Sequence, residues 1–178
     1  KKIVYAGLLG FAQGIYMLCK NINFYKMGVE FHIYGDGGER KKIEELLSDG
    51  VERGIYYHGK VSSKEIPSIL LSAYLTLVPL AKNIFGAVPS KIYESMAAGV
   101  PIIFLGAGEG AKIIKENELG WVSPVDDYAS VEKNIAFALE NVELVEKYRK
   151  NCSLCAEFKF NRPLQIKALN TFLTESLK

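Results

Sequence analysis

The stretch that decides the fold is residues 88–103, which read VPSKIYESMAAGVPII. Apolar residues recur at every fourth position from Val88 to Met96, which predicts a helix with one buried face. The helix ends at Gly99, and an apolar strand follows directly. Because the run at 74–78 predicts another strand ahead of the stretch, the order of strand, loop, helix and strand indicates a βαβ unit.

Three polar residues of the same helix, Ser90, Lys91 and Glu94, fall on the side away from its apolar face. By geometry alone, an ordinary surface helix with a Lys91–Glu94 ion pair explains them. The alternative is that they contact a ligand. The position of this helix among the other elements distinguishes the two interpretations.

The composition is that of an ordinary globular protein. Its 178 residues fit one domain, and 49% of them are hydrophobic and 24% charged. A net charge of +2 and scattered basic residues give no sign of nucleic-acid binding, and the charged run from Glu39 to Lys42 is typical of a solvated helix face. No apolar run approaches the roughly 20 residues that span a bilayer, and no signal peptide is recognisable. Since the chain begins at Lys1 without a methionine, we expect a fragment cut at a domain boundary.

Three cysteines are too few and odd in number for a disulfide framework. Cys152 and Cys155 form a CxxC pair, but without a second pair or a nearby histidine we expect buried or half-buried thiols. Asp126 and Asp127 precede a predicted helix, so we expect them to cap it.

Strands and helices alternate along the whole chain. The predicted strands are 3–7, 29–34, 54–58, 74–78, 101–105 and 120–122, and the predicted helices are 15–25, 39–47, 65–71, 90–98, a segment around 113–114, 129–139, 142–158 and 162–177. This alternation predicts an α/β fold, a doubly wound parallel six-stranded sheet with helices on both faces. The last helix is expected to cover a core with Leu164, Ala168, Leu169 and Phe172.

Loops between the predicted strands and helices are rich in glycine. In open parallel sheets such loops gather beyond the carboxyl ends of the strands, where ligands bind. Gly7, Gly10 and Gly14 follow the first strand with the spacing GxxGxxxG, which differs from the GxGxxG of dinucleotide folds. Backbone N–H groups in loops of this kind favour phosphate. The loop 79–86 is long and carries Ile84 and Phe85, which we expect to pack on a ligand or another domain.

The polar helix face fits such a ligand. The helix N-terminus, the Ser90 hydroxyl and the Lys91 ammonium suit a diphosphate, and the Glu94 carboxylate suits a ribose diol. Together these groups predict a nucleoside diphosphate derivative.

Four motifs resemble a known family: YAGLLGFAQG at 5–14, IYGDGGER at 33–40, HGKV at 58–61 and PSKIYESMAAGVP at 89–101. They are similar to the C-terminal, donor-binding domain of GT-B fold glycosyltransferases of the retaining group 4. The resemblance covers residues 1–178, with the last helix at about 162–177, and places an N-terminal acceptor domain outside this chain. The last motif is the most specific. The first and last motifs together, read as Gly-x-x-Gly-x-Ala-Gln-Gly and Pro-Ser-Lys-x-x-Glu, are similar to a branch that includes bacterial N-acetylfucosamine transferases of surface polysaccharide assembly.

The resemblance assigns site residues but no catalytic residue. Glu94 matches the second glutamate of the family's E(x7)E motif, which holds the donor ribose, and the first glutamate falls on Gly86. Many members hold the diphosphate with an arginine and a lysine, which here correspond to Leu8 and Gln13. The donor-binding residues that the resemblance implies are Gly7, Gly10, Gln13, Gly14, Ser90 and Lys91 for the diphosphate, Lys60 and Val61 for the base and Glu94 for the ribose.

The function that the resemblance implies is transfer of a sugar, with retention, from a nucleotide-sugar donor to a glycan or lipid-linked acceptor. We expect a UDP-linked donor, a role in surface polysaccharide biosynthesis, and no metal or other cofactor. The expected location is the cytoplasm, and the resemblance allows a full-length protein to attach to the inner face of the membrane. The chain alone is expected to bind nucleotide without transferring sugar.

Three other functions stay open. A sugar-nucleotide 2-epimerase shares the GT-B architecture. An NAD(P) oxidoreductase would use Asp36, 22 residues after Gly14, as its ribose acid. A non-catalytic interaction module would explain the missing glutamate at Gly86. For His58 we expect a structural or solvated role, and His32 is assigned no function.

Overall fold

A single parallel sheet forms the centre of the molecule. The computed structural model describes residues 1–81, 86 and 88–176. The strands are Lys2–Ala6 (β1), Glu30–Tyr34 (β2), Ile55–Tyr57 (β3), Leu75–Pro79 (β4), Ile102–Leu105 (β5) and Gly120–Ser123 (β6). All neighbours pair in parallel in the order β3-β2-β1-β4-β5-β6. The order reverses between β1 and β4, so a crevice opens beyond their carboxyl ends.

Helices cover both faces of the sheet. They are Ile15–Asn21 (α1), Arg40–Leu47 (α2), Ile66–Leu71 (α3), Ser90–Ala97 (α4), Glu109–Glu116 (α5), Tyr128–Glu140 (α6), Val142–Leu154 (α7) and Arg162–Ser176 (α8), with a 3-10 turn at Tyr25–Met27 and a π-helical turn at Cys155–Lys159. Leu18 of α1, Ile43 of α2 and Ile135 of α6 pack in one core cluster, whereas α3, α4 and α5 cover the other face. The predicted doubly wound six-stranded sheet is confirmed.

The strand sequences are apolar on both faces because both faces are covered. In β1, Ile3 and Tyr5 pack into the cluster with α1, and Val4 and Ala6 pack into the cluster with α3. All five residues of β4 are buried. The sheet is therefore a rigid base for the loops at its carboxyl edge.

The first helix is shorter than the sequence predicts. It ends at Asn21, and Ile22 already has an extended conformation. The chain leaves the helix there because Ile22 and Phe24 are both buried, with the Phe24 ring 4.7 Å from that of Phe31. Burial of two large apolar side chains outweighs the remaining helical turn.

The prediction that α8 covers a core is wrong. Leu164, Leu169 and Phe172 are 49%, 55% and 64% exposed, and Ala168 is exposed too. The other helices already cover both faces of the sheet, and the buried core clusters contain no residue of α8.

The structure tests two smaller predictions, on the aspartates before α6 and on the CxxC cysteines. Asp127 caps α6 as predicted, since its carboxylate accepts a hydrogen bond from the Ser130 N–H at 2.9 Å, whereas Asp126 does not cap the helix and accepts from the Tyr128 hydroxyl at 3.2 Å. Cys152 is buried and Cys155 is half-buried. Ile84 and Phe85 lie outside the described residues. Within the described part of the chain, no helix combines the length and the apolar character needed to cross a membrane.

Candidate functional site

Backbone hydrogen bonds hold the loops after β1, β2 and β3 together. The N–H of Gly7 donates to the Tyr34 carbonyl at 2.8 Å, and the N–H of Gly35 donates to the Gly59 carbonyl at 2.8 Å. Gly35 has a φ of +150°, and a Cβ there would overlap the carbonyl of Gly7. A side chain at position 35 would therefore push the loops after β1 and β2 apart, which explains why glycine occupies this position.

An open cleft of about 580 Å³ lies between these loops. Its lining residues are Gly7, Leu8, Tyr34, Gly35, Asp36, Gly37, Lys60, Val61 and Ile66. Gly7, Lys60 and Val61 were predicted as donor-binding residues, and the structure brings all three into one cleft. The cleft lies beyond the carboxyl ends of β1, β2 and β3, next to the point between β1 and β4 where the strand order reverses, and open parallel sheets bind ligands at this edge.

Lys91 extends from the first turn of α4 to the loop after β1. A Cβ built on Gly7 would overlap the side-chain end of Lys91, so the ammonium lies directly against the Gly7 backbone. The Lys91 Nζ atom is also 5.4 Å from the centre of the buried Tyr5 ring. Burial lowers the pKa of Lys91, and Glu94 offsets part of this shift. The half-buried ammonium thus lacks full hydration, which favours contact with an anion.

Ser90 and Glu94 interact with each other on the exposed side of α4. The Ser90 hydroxyl donates to the Glu94 carboxylate at 3.0 Å. The Lys91–Glu94 ion pair of an ordinary surface helix is not formed, because Lys91 turns towards Gly7 and Ser90 occupies one Glu94 oxygen. Since the Ser90 hydroxyl hydrogen is used here, a phosphate would have to compete with Glu94 for it.

Glu94 lies beside the cleft. It lines a second, apolar groove of about 420 Å³ between α3 and α4, together with Ile66. Ile66 also lines the first cleft. The groove that Glu94 lines and the cleft therefore meet at Ile66.

The rest of the first glycine loop lies apart from the cleft lining. Gly10 accepts backbone hydrogen bonds from Gln13 and Gly14, and Gly14 precedes α1 in a left-handed conformation. The side-chain oxygen of Gln13 is buried and has no hydrogen-bond donor among the described residues. That Gly10, Gln13 and Gly14 bind the donor stays a prediction.

Glu39 is the residue that the sequence interpretation missed most clearly. It was assigned to a solvated helix face, yet it is only 4% exposed. Its carboxylate accepts a hydrogen bond from the Tyr16 N–H at 3.2 Å, in the first turn of α1. A carboxylate at a helix N-terminus is stabilised by the exposed N–H groups, which explains its burial. This end of α1 is therefore already occupied by an anionic side chain.

Tyr34 and Asp36 also line the cleft and were not predicted as donor-binding residues. Tyr34 is the last residue of β2, and its position at a strand end was the signal that could have identified it. Asp36 accepts a hydrogen bond from the Gly37 N–H at 2.8 Å and approaches Arg40 at 3.8 Å. Both interactions fix the turn after β2.

Metal-ligand clusters are not found in the described residues, where no three His, Cys, Asp or Glu side chains come together. The Cys152 thiol lies 3.5 Å from the Val100 carbonyl and 3.6 Å from that of Leu119. Burial raises the pKa of Cys152 to about 12, so it is a neutral thiol in the core.

A family model described as "Glycosyl transferases group 1" matches residues 1–148. The chain belongs to this glycosyl transferase family. No match was found among curated protein sequences.

Solved glycosyltransferase structures share the fold. HepE of Anabaena, solved with UDP, has a TM-score of 0.79 and 17% identity, over 99% of this chain and 48% of its own. The C-terminal domain of LpcC, a group 1 family glycosyl transferase of Francisella tularensis, has a TM-score of 0.73 and 18% identity, over 90% of this chain and 86% of its own. WaaG, a glycosyltransferase involved in lipopolysaccharide biosynthesis, has a TM-score of 0.69 and 17% identity, over 94% of this chain and 46% of its own. The glycosyl transferase domain described here thus spans about half the length of HepE and WaaG.

Proposed function

We propose that this chain binds the nucleotide-sugar donor of a group 1 glycosyltransferase, with the nucleoside diphosphate in the cleft beyond β1 and β2. The observation that carries the proposal is the contact of Lys91 with Gly7. It puts a partly dehydrated ammonium beside Gly7, which lines the cleft, whereas Lys91 itself lies behind Gly7 and is not one of the lining residues. A charge-assisted contact to a phosphate is strong in such a setting.

The other parts of the donor fit neighbouring groups. The base would lie near Lys60 and Val61, which line the same cleft. The ribose would approach Glu94, which retains one carboxylate oxygen without a partner among the described residues. We propose a UDP-linked sugar, since the resemblance of the motifs implies it and HepE was solved with UDP.

Isothermal titration calorimetry of this chain with UDP and UDP-sugars tests the proposal. We expect saturable binding that persists in the presence of a chelator, because Lys91 supplies the cation. Absence of binding at millimolar UDP would contradict the proposal. NADH serves as the control ligand, and binding of NADH in place of UDP would favour the oxidoreductase alternative.

We further propose that the full protein transfers the sugar with retention to a glycan or lipid-linked acceptor in surface polysaccharide assembly. The motif resemblance to N-acetylfucosamine transferases supports this role, as does the shared fold with WaaG. Because the chain spans about half of HepE, the acceptor would be bound by a further domain. We therefore expect this chain alone to bind the donor without transferring sugar. The anomeric configuration of the product of a full-length protein, measured by NMR, tests retention.

A further inference from the structure

The two histidines of the chain lie side by side at the edge of the sheet, outside the cleft. His32 is in β2, and His58 follows β3, where its N–H donates to the Ile33 carbonyl at 2.9 Å. The Nδ1 atom of His32 and the Nε2 atom of His58 are 2.8 Å apart. His32 is half-buried and His58 is exposed.

The two rings share one plane and meet end to end. Their interplanar angle is 8° and their centroids are 5.1 Å apart. This separation equals the distance between the two nitrogens plus the radius of each ring, as in an in-line N–H···N hydrogen bond. A metal ion held in line between the same nitrogens would need them roughly 4 Å apart, given metal–nitrogen bonds of 2.0–2.1 Å. The geometry is therefore that of two rings sharing a proton.

Glu30 sets the tautomers of both rings. Its carboxylate lies 3.1 Å from the His32 Nε2 atom, and an ionised carboxylate only accepts hydrogen bonds. His32 Nε2 therefore carries a hydrogen, and in the neutral pair His32 Nδ1 accepts from His58 Nε2. This assignment follows from the hydrogen-bond network. It leaves the Nδ1 atom of His58 as the site for an added proton.

One added proton preserves the contact, because either ring can then donate to the other. A second added proton puts hydrogens on both facing nitrogens, so the contact must open. The groups that face the pair are Lys2 from β1, Glu30 and Tyr34 from β2, and Tyr56 from β3. Burial is the largest effect and lowers the pKa of both histidines. Lys2 lowers both pKa values further, whereas the hydrogen bond to Glu30 raises the pKa of His32.

The His58 ring also supports a wall of the cleft. It stacks on the Tyr34 ring with centroids 4.3 Å apart and an interplanar angle of 10°. Tyr34 lines the cleft beside Gly35, and its hydroxyl is 3.5 Å from the Lys2 ammonium. Displacement of His58 would therefore remove one of the contacts that fix Tyr34.

We propose that His32 and His58 form a proton-sharing pair that couples acidification to nucleotide binding: the second proton separates the rings, frees Tyr34 and weakens the cleft. The coupling to nucleotide rests on the function proposed above. The direction follows from linkage, because protons bind the open pair better than the closed one, so acid favours the open form and donor binding opposes proton uptake.

NMR titration of the imidazole C–H signals tests the pair without any nucleotide. Since the chain has only two histidines, every imidazole signal belongs to the pair. We expect two coupled steps, the second accompanied by a shift of the Tyr34 ring signals. In His32→Gln or His58→Gln, the remaining ring should titrate in one step closer to the ordinary pKa of about 6.5. Two independent steps in the unmodified chain, unaffected by removal of the partner, would overturn the pair. An unmoved Tyr34 would overturn its link to the cleft.

A second experiment, with nucleotide present, measures the affinity of the chain for UDP-glucose between pH 8 and pH 4.5. A nucleotide sugar is the suitable probe because its diphosphate has no terminal phosphate to titrate near pH 6. We expect the affinity to fall at least tenfold across the second histidine step. In His58→Phe the ring against Tyr34 is kept but takes up no proton. His32 still titrates in this variant, yet no pair is left to open, so the affinity should stay level over that range. An equal fall in both proteins would overturn the coupling. If UDP-glucose binds at no pH, the proposed function fails, and the NMR titration still decides whether the pair and its link to Tyr34 exist.

Discussion

In the proposed site, Lys91 is the residue from which we expect the largest contribution to donor binding. Lys91→Met keeps most of the side-chain length and removes the charge. Because charged hydrogen bonds contribute about 1.5–3 kcal/mol, we expect UDP affinity to fall roughly 10- to 150-fold. Since burial disfavours the ammonium, the melting temperature without nucleotide should not fall. Calorimetry and thermal unfolding measure the two effects.

The matched control for this substitution is Lys112→Met, which removes an exposed lysine of α5. It should change neither the affinity for UDP nor the melting temperature. An equal loss of affinity in both variants would mean that general charge, rather than the position of Lys91, attracts the nucleotide.

Glu94 has a separate role in the proposed site. Glu94→Ala should weaken UDP binding by about 1–3 kcal/mol, because two hydrogen bonds to the ribose are lost. Uridine diphosphate in its 2′,3′-dideoxy form should bind the unmodified chain as weakly as UDP binds the variant. If Glu94→Ala still distinguishes the two nucleotides as strongly as the unmodified chain does, the carboxylate does not hold the ribose. Glu116→Ala, an exposed glutamate of α5, is the control.

At the scale of elements, the contact between the β1 loop and α4 predicts a coupled pair of substitutions. Gly7→Ala puts a methyl group where Lys91 lies and also strains the backbone at φ +147°. We expect Gly7→Ala to destabilise the fold and to abolish measurable UDP binding. Adding Lys91→Ala should restore part of the stability, because it relieves the overlap between the two side chains but not the backbone strain at position 7.

A double-mutant cycle in thermal or urea unfolding measures that coupling. Additive losses of unfolding free energy would show that Lys91 moves aside freely when Gly7 is changed. In that case its place against Gly7 would not be a fixed part of the site.

Also at the scale of elements, the sequence alone predicted the helices and strands correctly where a single hydrophobic pattern dominated. The apolar runs and the βαβ order around residues 88–103 predicted β4, α4 and β5 correctly, since both faces of a parallel sheet must be apolar. The pattern failed for Glu39, because an acidic residue within a charged run looks solvated until the fold places it at the start of α1. It also failed for the Lys91 side chain, whose direction depends on the distant Gly7.

At the scale of the whole molecule, α8 contributes little to the fold. None of its described side chains is buried, although several are apolar. The sequence could not reveal this, because an apolar periodicity is the same whether or not a partner surface exists. We expect a chain ending at Asn161 to keep its melting temperature within a few degrees, as is usual for changes that remove no buried contact.

The same truncation should leave UDP affinity unchanged, since none of the cleft-lining residues belongs to α8. Thermal unfolding and calorimetry on the two chain lengths test both statements. A large drop in melting temperature would mean that α8 packs on the domain in solution.

The contact between Gly7 and Lys91 also constrains how the family can diverge. The two residues are far apart in the sequence, yet a side chain at position 7 would occupy the place where the end of the Lys91 side chain lies. A lineage that acquired a larger residue at position 7 would have to move or shorten the side chain at position 91, and under the proposed function it would then need a phosphate-binding cation elsewhere, for example at position 8 or 13. Relatives should therefore fall into two groups, with the lysine either at the start of α4 or in the first loop, and intermediates between them should be rare.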